Sequence, residues 1–342
     1  MEIRKKIKVL VVDDSLIFRE MIAKGIALDK SIEVVGTASD PFMARDKIIE
    51  LEPDVLTLDV EMPKMSGIEF LKRLMPQYPL PVVVVSSVSE SVFDALNAGA
   101  VDFVTKPDSK NGMSMESLIN ELVVKIKIAS TAHVGHWKNE HIMSSIKPQS
   151  SKAKKNMVIA IGASTGGTEA LYNVMKSLPK DIPGIVVVQH MPPVFTRMFA
   201  DRLNNSCLHE VREAKTGDVV LPGTALIAPG DAHMKLKKAG DVYSVECFQG
   251  EKVNGHCPSV DVLFDSVAEK AKANSIGVIL TGMGYDGAKG LLKMRKSGAR
   301  TLGQDEETCV VYGMPKVAFD LGAVERQVPL GQIAHSIYSL LD

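Results

Sequence analysis

The sequence predicts an α/β protein built from two doubly wound parallel-sheet domains. Over the first 125 residues, short β-branched runs alternate with amphipathic stretches. Over 126–155 the alternation breaks down into Ser, Lys, Pro and Gln, and from 156 it resumes. At 342 residues the chain exceeds what one hydrophobic core ordinarily serves, so two domains and a linker are expected at 1–125, 126–155 and 156–342.

In the first domain the strand candidates are 8–12, 33–37, 54–58, 81–86 and 102–105, with helical stretches at 16–28, 42–51 and 67–75. Strands that alternate with helices form a parallel sheet covered on both faces, because right-handed crossovers place helices above and below it. The linker holds the single tryptophan, Trp137, which is expected to anchor it to a domain surface. In the second domain 157–161, 184–189 and 275–280 are apolar strands. Between 210 and 247 short runs at 224–228, 233–237 and 241–247 are separated by Gly and Pro turns. They suggest an antiparallel excursion beside the sheet.

Composition narrows the function classes. Apolar residues make up 45% and charged residues 24%, which is globular. The net charge of -1 exerts no global pull toward nucleic acid or an anionic bilayer. No apolar run approaches the roughly 20 residues that span a bilayer, so membrane insertion is not expected. Cys207, Cys247, Cys257 and Cys309 form no C-x-x-C pair and lie at no zinc-finger spacing from histidines. Reduced thiols and no secretory signal point to the cytoplasm.

Asp13 and Asp14 follow the first strand directly, and Asp59 follows the third. The carboxyl ends of parallel strands share one rim, where ligands bind. Three carboxylates there repel one another and call for a hard cation with oxygen ligands, which suits Mg2+. Ser86 ends the fourth strand and Lys106 the fifth, placing a hydroxyl and an ammonium where a phosphoryl group would sit. Each residue alone would be a cap or a loop acid; five at successive strand ends are not. These residues make the first 120 or so resemble the response-regulator receiver family. The resemblance implies a flavodoxin-like fold, phosphorylation at Asp59 and a Mg2+ site at Asp13, Asp14 and Asp59. It also implies switch roles for Ser86, Phe103 and Lys106.

In the second domain the strand 157–161 runs into Gly162-Ala-Ser164-Thr-Gly166-Gly167, and a helical stretch follows at 168–178. This is G-x-S-x-G between strand and helix, a turn that presents a nucleophile at the sheet edge. The helix start behind it offers free N–H groups that suit an oxyanion and, equally, a phosphate. Taken alone, the turn leaves nucleotide binding and nucleophilic catalysis open. His190 at the end of 184–189 and Asp286 in the glycine-rich loop after 275–280 favour catalysis, since a second and a third chemistry-bearing group reach the same rim. Ser164 would attack, His190 would act as general base and then acid, and Asp286 would orient His190. The amides of Thr165 and Met283 are candidate oxyanion donors.

A receiver joined to G-A-S-T-G-G, Q-H-M-P and T-G-M-G-x-D-G resembles the chemotaxis protein-glutamate methylesterase family, and 309–315 adds to the match. The resemblance implies hydrolysis of glutamate γ-methyl esters on chemoreceptor cytoplasmic domains, deamidation of receptor glutamines, and a chemotaxis histidine kinase as phosphodonor. It assigns Ser164, His190 and Asp286 as a triad with no cofactor in the esterase site. It also implies that the unphosphorylated receiver restricts access to Ser164. His233 is expected to cap a turn or line the substrate cleft, His256 to form a rim loop or lead into a helix at 259–273, and residues 304–307 to form a solvated turn or approach the active site.

Overall fold

β-branched and small residues that are apolar on both faces dictate central strands, and the polar residues at their ends dictate where the chain must turn. The computed structural model describes residues 5–87, 90–107, 114–135 and 156–341. It divides into two units, Met1–Glu140 and His141–Asp342. Trp137 and residues 136–155 of the expected linker lie outside the described residues.

The first unit runs β1 (Ile7–Val12), α1 (Leu16–Ile26), β2 (Ile32–Ala38), α2 (Pro41–Leu51), β3 (Val55–Asp59), α3 (Gly67–Gln77), β4 (Val82–Ser86), α4 (Ser91–Asn97), β5 (Asp102–Thr105), α5 (Met115–Ala129). Its sheet has the order β2-β1-β3-β4-β5, parallel throughout. This is the flavodoxin-like order expected. Every residue of β3 and β4 is buried, as a strand covered on both faces requires. Helix starts are set locally: Ser15, Asp40, Ser66 and Ser114 each accept a hydrogen bond from an amide in the first turn that follows. α5 continues to Ala129, so the unit's last helix runs beyond residue 125.

The second unit runs β6 (Val158–Ala163), α6 (Gly167–Ser177), β7 (Gly184–Gln189), α7 (Phe195–Ser206), β8 (Glu210–Glu213), β9 (Thr224–Ile227), β10 (His233–Ala239), β11 (Val242–Phe248), α8 (Val260–Lys270), β12 (Ser275–Ile279), α9 (Ala288–Lys296), β13 (Arg300–Gln304), α10 (Met314–Asp320), β14 (Arg326–Val328), α11 (Leu330–Ser339). Seven strands form one sheet in the order β14-β13-β12-β6-β7-β9-β8, again all parallel. The antiparallel excursion is narrower than its composition suggests. Of the named strands among the described residues, β10 and β11 alone pair antiparallel, while the run 224–228 supplies β9 of the main sheet. Leu226 and Ile227 are fully buried, so β9 joins the sheet that can cover both its faces.

α8, α9 and the β10–β11 hairpin pack on one face of this sheet through Leu263, Phe264, Val267, Leu291, Met294, Met234 and Leu236. β6 lies between β12 and β7. After β6 the chain builds outward through β7, and later through β12 in the other direction. The strand order therefore reverses at β6, the place where an open α/β sheet leaves a crevice at its carboxyl edge.

Candidate active site

The end of β6 is held from both sides. The Ser164 amide donates to Thr281 O after β12 at 3.0 Å, and the His190 amide donates to Ala163 O at 3.2 Å. The Gln189 side-chain amide donates to Ser164 O at 2.9 Å. Ser164 and His190 thus occupy the ends of adjacent strands. The turn closes through Gly167 N–H to Ser164 O at 2.7 Å, and Gly166 starts α6 with φ +75, a backbone conformation that costs glycine nothing. Across the rim, a Cβ placed on Gly282 would lie 2.7 Å from Ser164 Cβ. The loop after β12 therefore passes so close to Ser164 that only glycine fits.

Asp286, 1% exposed, meets five donors. Its Oδ1 accepts from Asn254 Nδ2 at 2.8 Å, Ser259 Oγ at 2.8 Å and the Asp261 amide at 3.2 Å. Its Oδ2 accepts from the Val260 amide at 2.7 Å and from His190 Nε2 at 2.9 Å. The carboxylate thus sits on the start of α8, where unpaired amides and the positive dipole end favour an anion. Burial pushes its pKa up, but His190, Asn254 and the Val260 amide outweigh burial and hold it well below the usual carboxylate range. An ionised Asp286 requires a proton on Nε2 of His190, which makes Nδ1 the ring's basic nitrogen. Nδ1 is buried and has no partner among the described residues.

The structure joins His190 to Asp286 and sets Ser164 on the same rim. Among the described residues no hydrogen bond links the half-buried Ser164 hydroxyl to His190. Of the two oxyanion candidates, Thr165 is buried and its carbonyl accepts from Thr281 Oγ1 at 3.0 Å. Met283 is 45% exposed.

Several groups at this site escape a reading of the sequence. Asn254 and Ser259 carry no motif of their own. His256, expected either in a rim loop or leading into a helix, stacks on His190 with ring centroids 3.7 Å apart and planes within 8°. Burial, then the proximity of His190, pushes His256 down to about 4, so it is neutral near pH 7. The expected solvated turn at 304–307 is corrected at its first residue. Gln304 is fully buried at the end of β13; its side chain accepts from the Thr281 amide at 2.9 Å and donates to Thr308 O at 2.7 Å. It thereby fixes the loop that carries Asp286. His233 is buried and ties residues 251 and 259 together: Nδ1 accepts from the Ser259 amide, and Nε2 donates to Glu251 O.

At the carboxyl rim of the first unit, ligand oxygens of Asp13, Asp14 and Asp59 lie within 4.8 Å of one another, with Asp13 and Asp59 buried and Asp14 exposed. Lys106 Nζ donates to Asp13 Oδ2 at 2.8 Å and to Asp59 Oδ2 at 2.6 Å. Burial raises the pKa of Asp59, and Lys106 only partly offsets this. The Ser86 hydroxyl is buried without a partner among the described residues. An all-oxygen anionic cluster with an unsatisfied hydroxyl beside it suits a divalent cation together with a phosphoryl group. Phe103 is buried on β5, with Lys125 Nζ 4.9 Å from its ring centroid.

Both units are similar to known proteins. Residues 159–337 match the family model for CheB methylesterase, and residues 9–116 match that for the response regulator receiver domain. A protein-glutamate methylesterase/protein-glutamine glutaminase from Syntrophomonas wolfei is 61% identical over 99% of this chain and 98% of its own. One so named from Escherichia coli is 48% identical over 97% and 96%. The crystal structure of the Thermotoga maritima CheB methylesterase catalytic domain superposes with a TM-score of 0.53 at 41% identity, covering 55% of this chain and 100% of that one. The dyad on a parallel-sheet rim, the receiver rim and these matches lead to one conclusion: the chain belongs to the CheB methylesterase family and carries a response regulator receiver domain.

Proposed function

We propose that this chain hydrolyses glutamate γ-methyl esters on the cytoplasmic domains of chemoreceptors and deamidates receptor glutamines, under control of phosphorylation at Asp59. The observation that carries the esterase assignment is the His190–Asp286 pair: an ionised, fully satisfied carboxylate at 2.9 Å that leaves Nδ1 as the single basic nitrogen at the Ser164 rim.

Ser164 Oγ attacks the ester carbonyl carbon while its proton passes to His190 Nδ1. The oxyanion is received by the amides of Thr165 and Met283, each worth about 3 kcal/mol in such a role. The tetrahedral intermediate collapses, the C–O bond to methoxide breaks, and His190 returns the proton so that methanol departs. Water then attacks the acyl-Ser164 ester, giving one proton to His190, which passes it to the departing Ser164 oxygen. The glutamate carboxylate is released. On glutamine the leaving group is ammonia and the sequence is otherwise the same. Asp286 stays ionised and stabilises the imidazolium in both half-reactions.

In the receiver, a histidine kinase supplies the phosphoryl group to Asp59, with Ser86 and Lys106 placed to contact its oxygens. Asp13, Asp14 and Asp59 would hold Mg2+, which when bound neutralises the charge gathered there. Phosphorylation raises esterase activity by a population shift in the receiver. The chain acts in the cytoplasm without entering the membrane. Among the described residues no helix is long and apolar enough to cross one.

Methanol release from methylated receptor membranes tests this. Wild type should turn over, faster with a small-molecule phosphodonor. Ser164→Ala should lose activity by a factor of about 10^6, as nucleophile removal from a triad does. An undiminished Ser164→Ala variant would reject the mechanism.

A further inference from the structure

Asn254 and Gly255 have φ of 54 and 85, both left-handed. Val253 and His256 exchange two backbone hydrogen bonds of 3.0 Å across them. This is a tight two-residue hairpin turn of the kind Asn-Gly favours, because both central positions demand positive φ. The turn is braced from below, since His233 bonds both Glu251 and Ser259 on either side of it. Asn254 reaches Asp286 Oδ1 and Asp261 Oδ2, each at 2.8 Å. His256 reaches His190 and lies flat against it. One braced turn thus touches both members of the pair.

The His190–Asp286 hydrogen bond fixes one point of the imidazole and leaves the ring free to pivot about the line from Cβ to Nε2. Histidine χ2 is soft, so nothing intrinsic to the side chain selects one ring plane. Nδ1 must nonetheless point at the Ser164 hydroxyl for proton transfer. A flat, rigid neighbour at 3.7 Å and 8° removes the pivot and covers one face of the ring from water. Two charged rings could not stack this way once His190 takes up a proton. An uncharged partner presents a π face, which attracts the imidazolium instead.

We infer that His256, presented by the Val253–His256 turn, is a positioning residue that sets the ring plane of His190 for proton transfer while Asn254 holds Asp286. The inference rests on the triad reading above. The titratable and charged groups facing His256 are His190, Asp286 and Lys252, and the first two are already committed to one another.

The test uses the full-length chain on methylated receptor membranes, separating kcat from KM. His256→Ala should lower kcat by about tenfold or more, because misorientation of a reacting group is expensive, while KM stays within about twofold. His256→Phe restores a flat face without a titratable nitrogen and should return kcat to within about threefold of wild type. Should His256→Ala fail to fold, His256→Leu fills the volume without a flat face and is judged by the same criteria. The inference is overturned if a folded Ala or Leu variant keeps wild-type kcat, if the loss lies in KM alone, or if Phe rescues nothing. Ser164→Ala, run in parallel, separates the two claims. Activity in that variant removes the triad reading and the inference together. An inactive Ser164→Ala beside an undiminished His256→Ala removes the inference only.

Discussion

The two rims are built alike and charged differently. Both lie at the carboxyl ends of parallel strands, yet at one rim three carboxylates gather around Lys106, whereas at the other Asp286 alone meets five donors. At the receiver rim burial raises Asp59, and Ser86 is unsatisfied among the described residues. That rim leaves buried charge and a hydroxyl unbalanced by its own donors, which suits the phosphoryl switch proposed above. At the esterase rim Asp286 is held well below its usual range and the pair is assembled in advance. Preorganisation of this kind serves catalysis, because nothing needs to reorganise as charge develops. The same edge of the same architecture can therefore be tuned to wait or to act by the balance of donors against carboxylates.

Breaking the satisfied rim should have the largest effect. Asp286→Asn keeps the shape but presents the wrong group to His190 Nε2 and to four other donors. We expect kcat for methanol release to fall by about 10^4-fold, the scale seen when a triad carboxylate becomes an amide. Thermal unfolding should show a loss of about 1–3 kcal/mol from donors left mismatched in the interior. Wild-type turnover would mean that the donor set, dense as it is, serves only packing.

Breaking the unsatisfied rim should leave basal turnover alone and remove its control. Lys106→Ala deletes the cation that bridges Asp13 and Asp59. Stimulation by a phosphodonor should fall from wild type to near unity, while unstimulated methanol release stays within about twofold. Retained stimulation would show that Lys106 balances charge in the resting rim and nothing more.

The smallest effect sharpens the comparison through pH. His209 and His256 are both pushed down to about 4, chiefly by burial, and His209 finds no partner for either ring nitrogen among the described residues. A folded pKa below the unfolded value near 6.5 favours the neutral ring in the fold. The corresponding stability is fully present above about pH 6.5 and is lost as pH falls through 4. Denaturant titrations from pH 7 to 4 should show this loss, and His209→Phe should reduce it. An equal loss in that variant would place the acid sensitivity elsewhere.

Much of both rims was legible because chemistry at a strand end leaves a local mark. Asp13, Asp59, Ser86, Lys106, Ser164 and His190 each stand directly after or at the close of an apolar run. Asp286 stands six residues beyond Leu280, the end of one, in a loop whose glycines announce close approach. What was not legible lies in loops and edges. Gln304 reads as part of a polar turn, yet its side chain is paid for in full by Thr281 and Thr308. The run 224–228 reads as part of an antiparallel excursion by its Gly and Pro flanks, yet it forms β9, which pairs in parallel with β7 and β8.

Sequence alone determined the alternation of strands and helices, the two-unit organisation and the identity of the polar groups that end each strand, because burial on both faces demands an unbroken apolar run and a polar stop. Only the tertiary structure decided what those groups meet. Asn254, His256 and Ser259 reach His190 and Asp286 across 27 or more positions of chain. Such contacts depend on how the sheet closes and where the start of α8 comes to rest, and no periodicity within a segment encodes them.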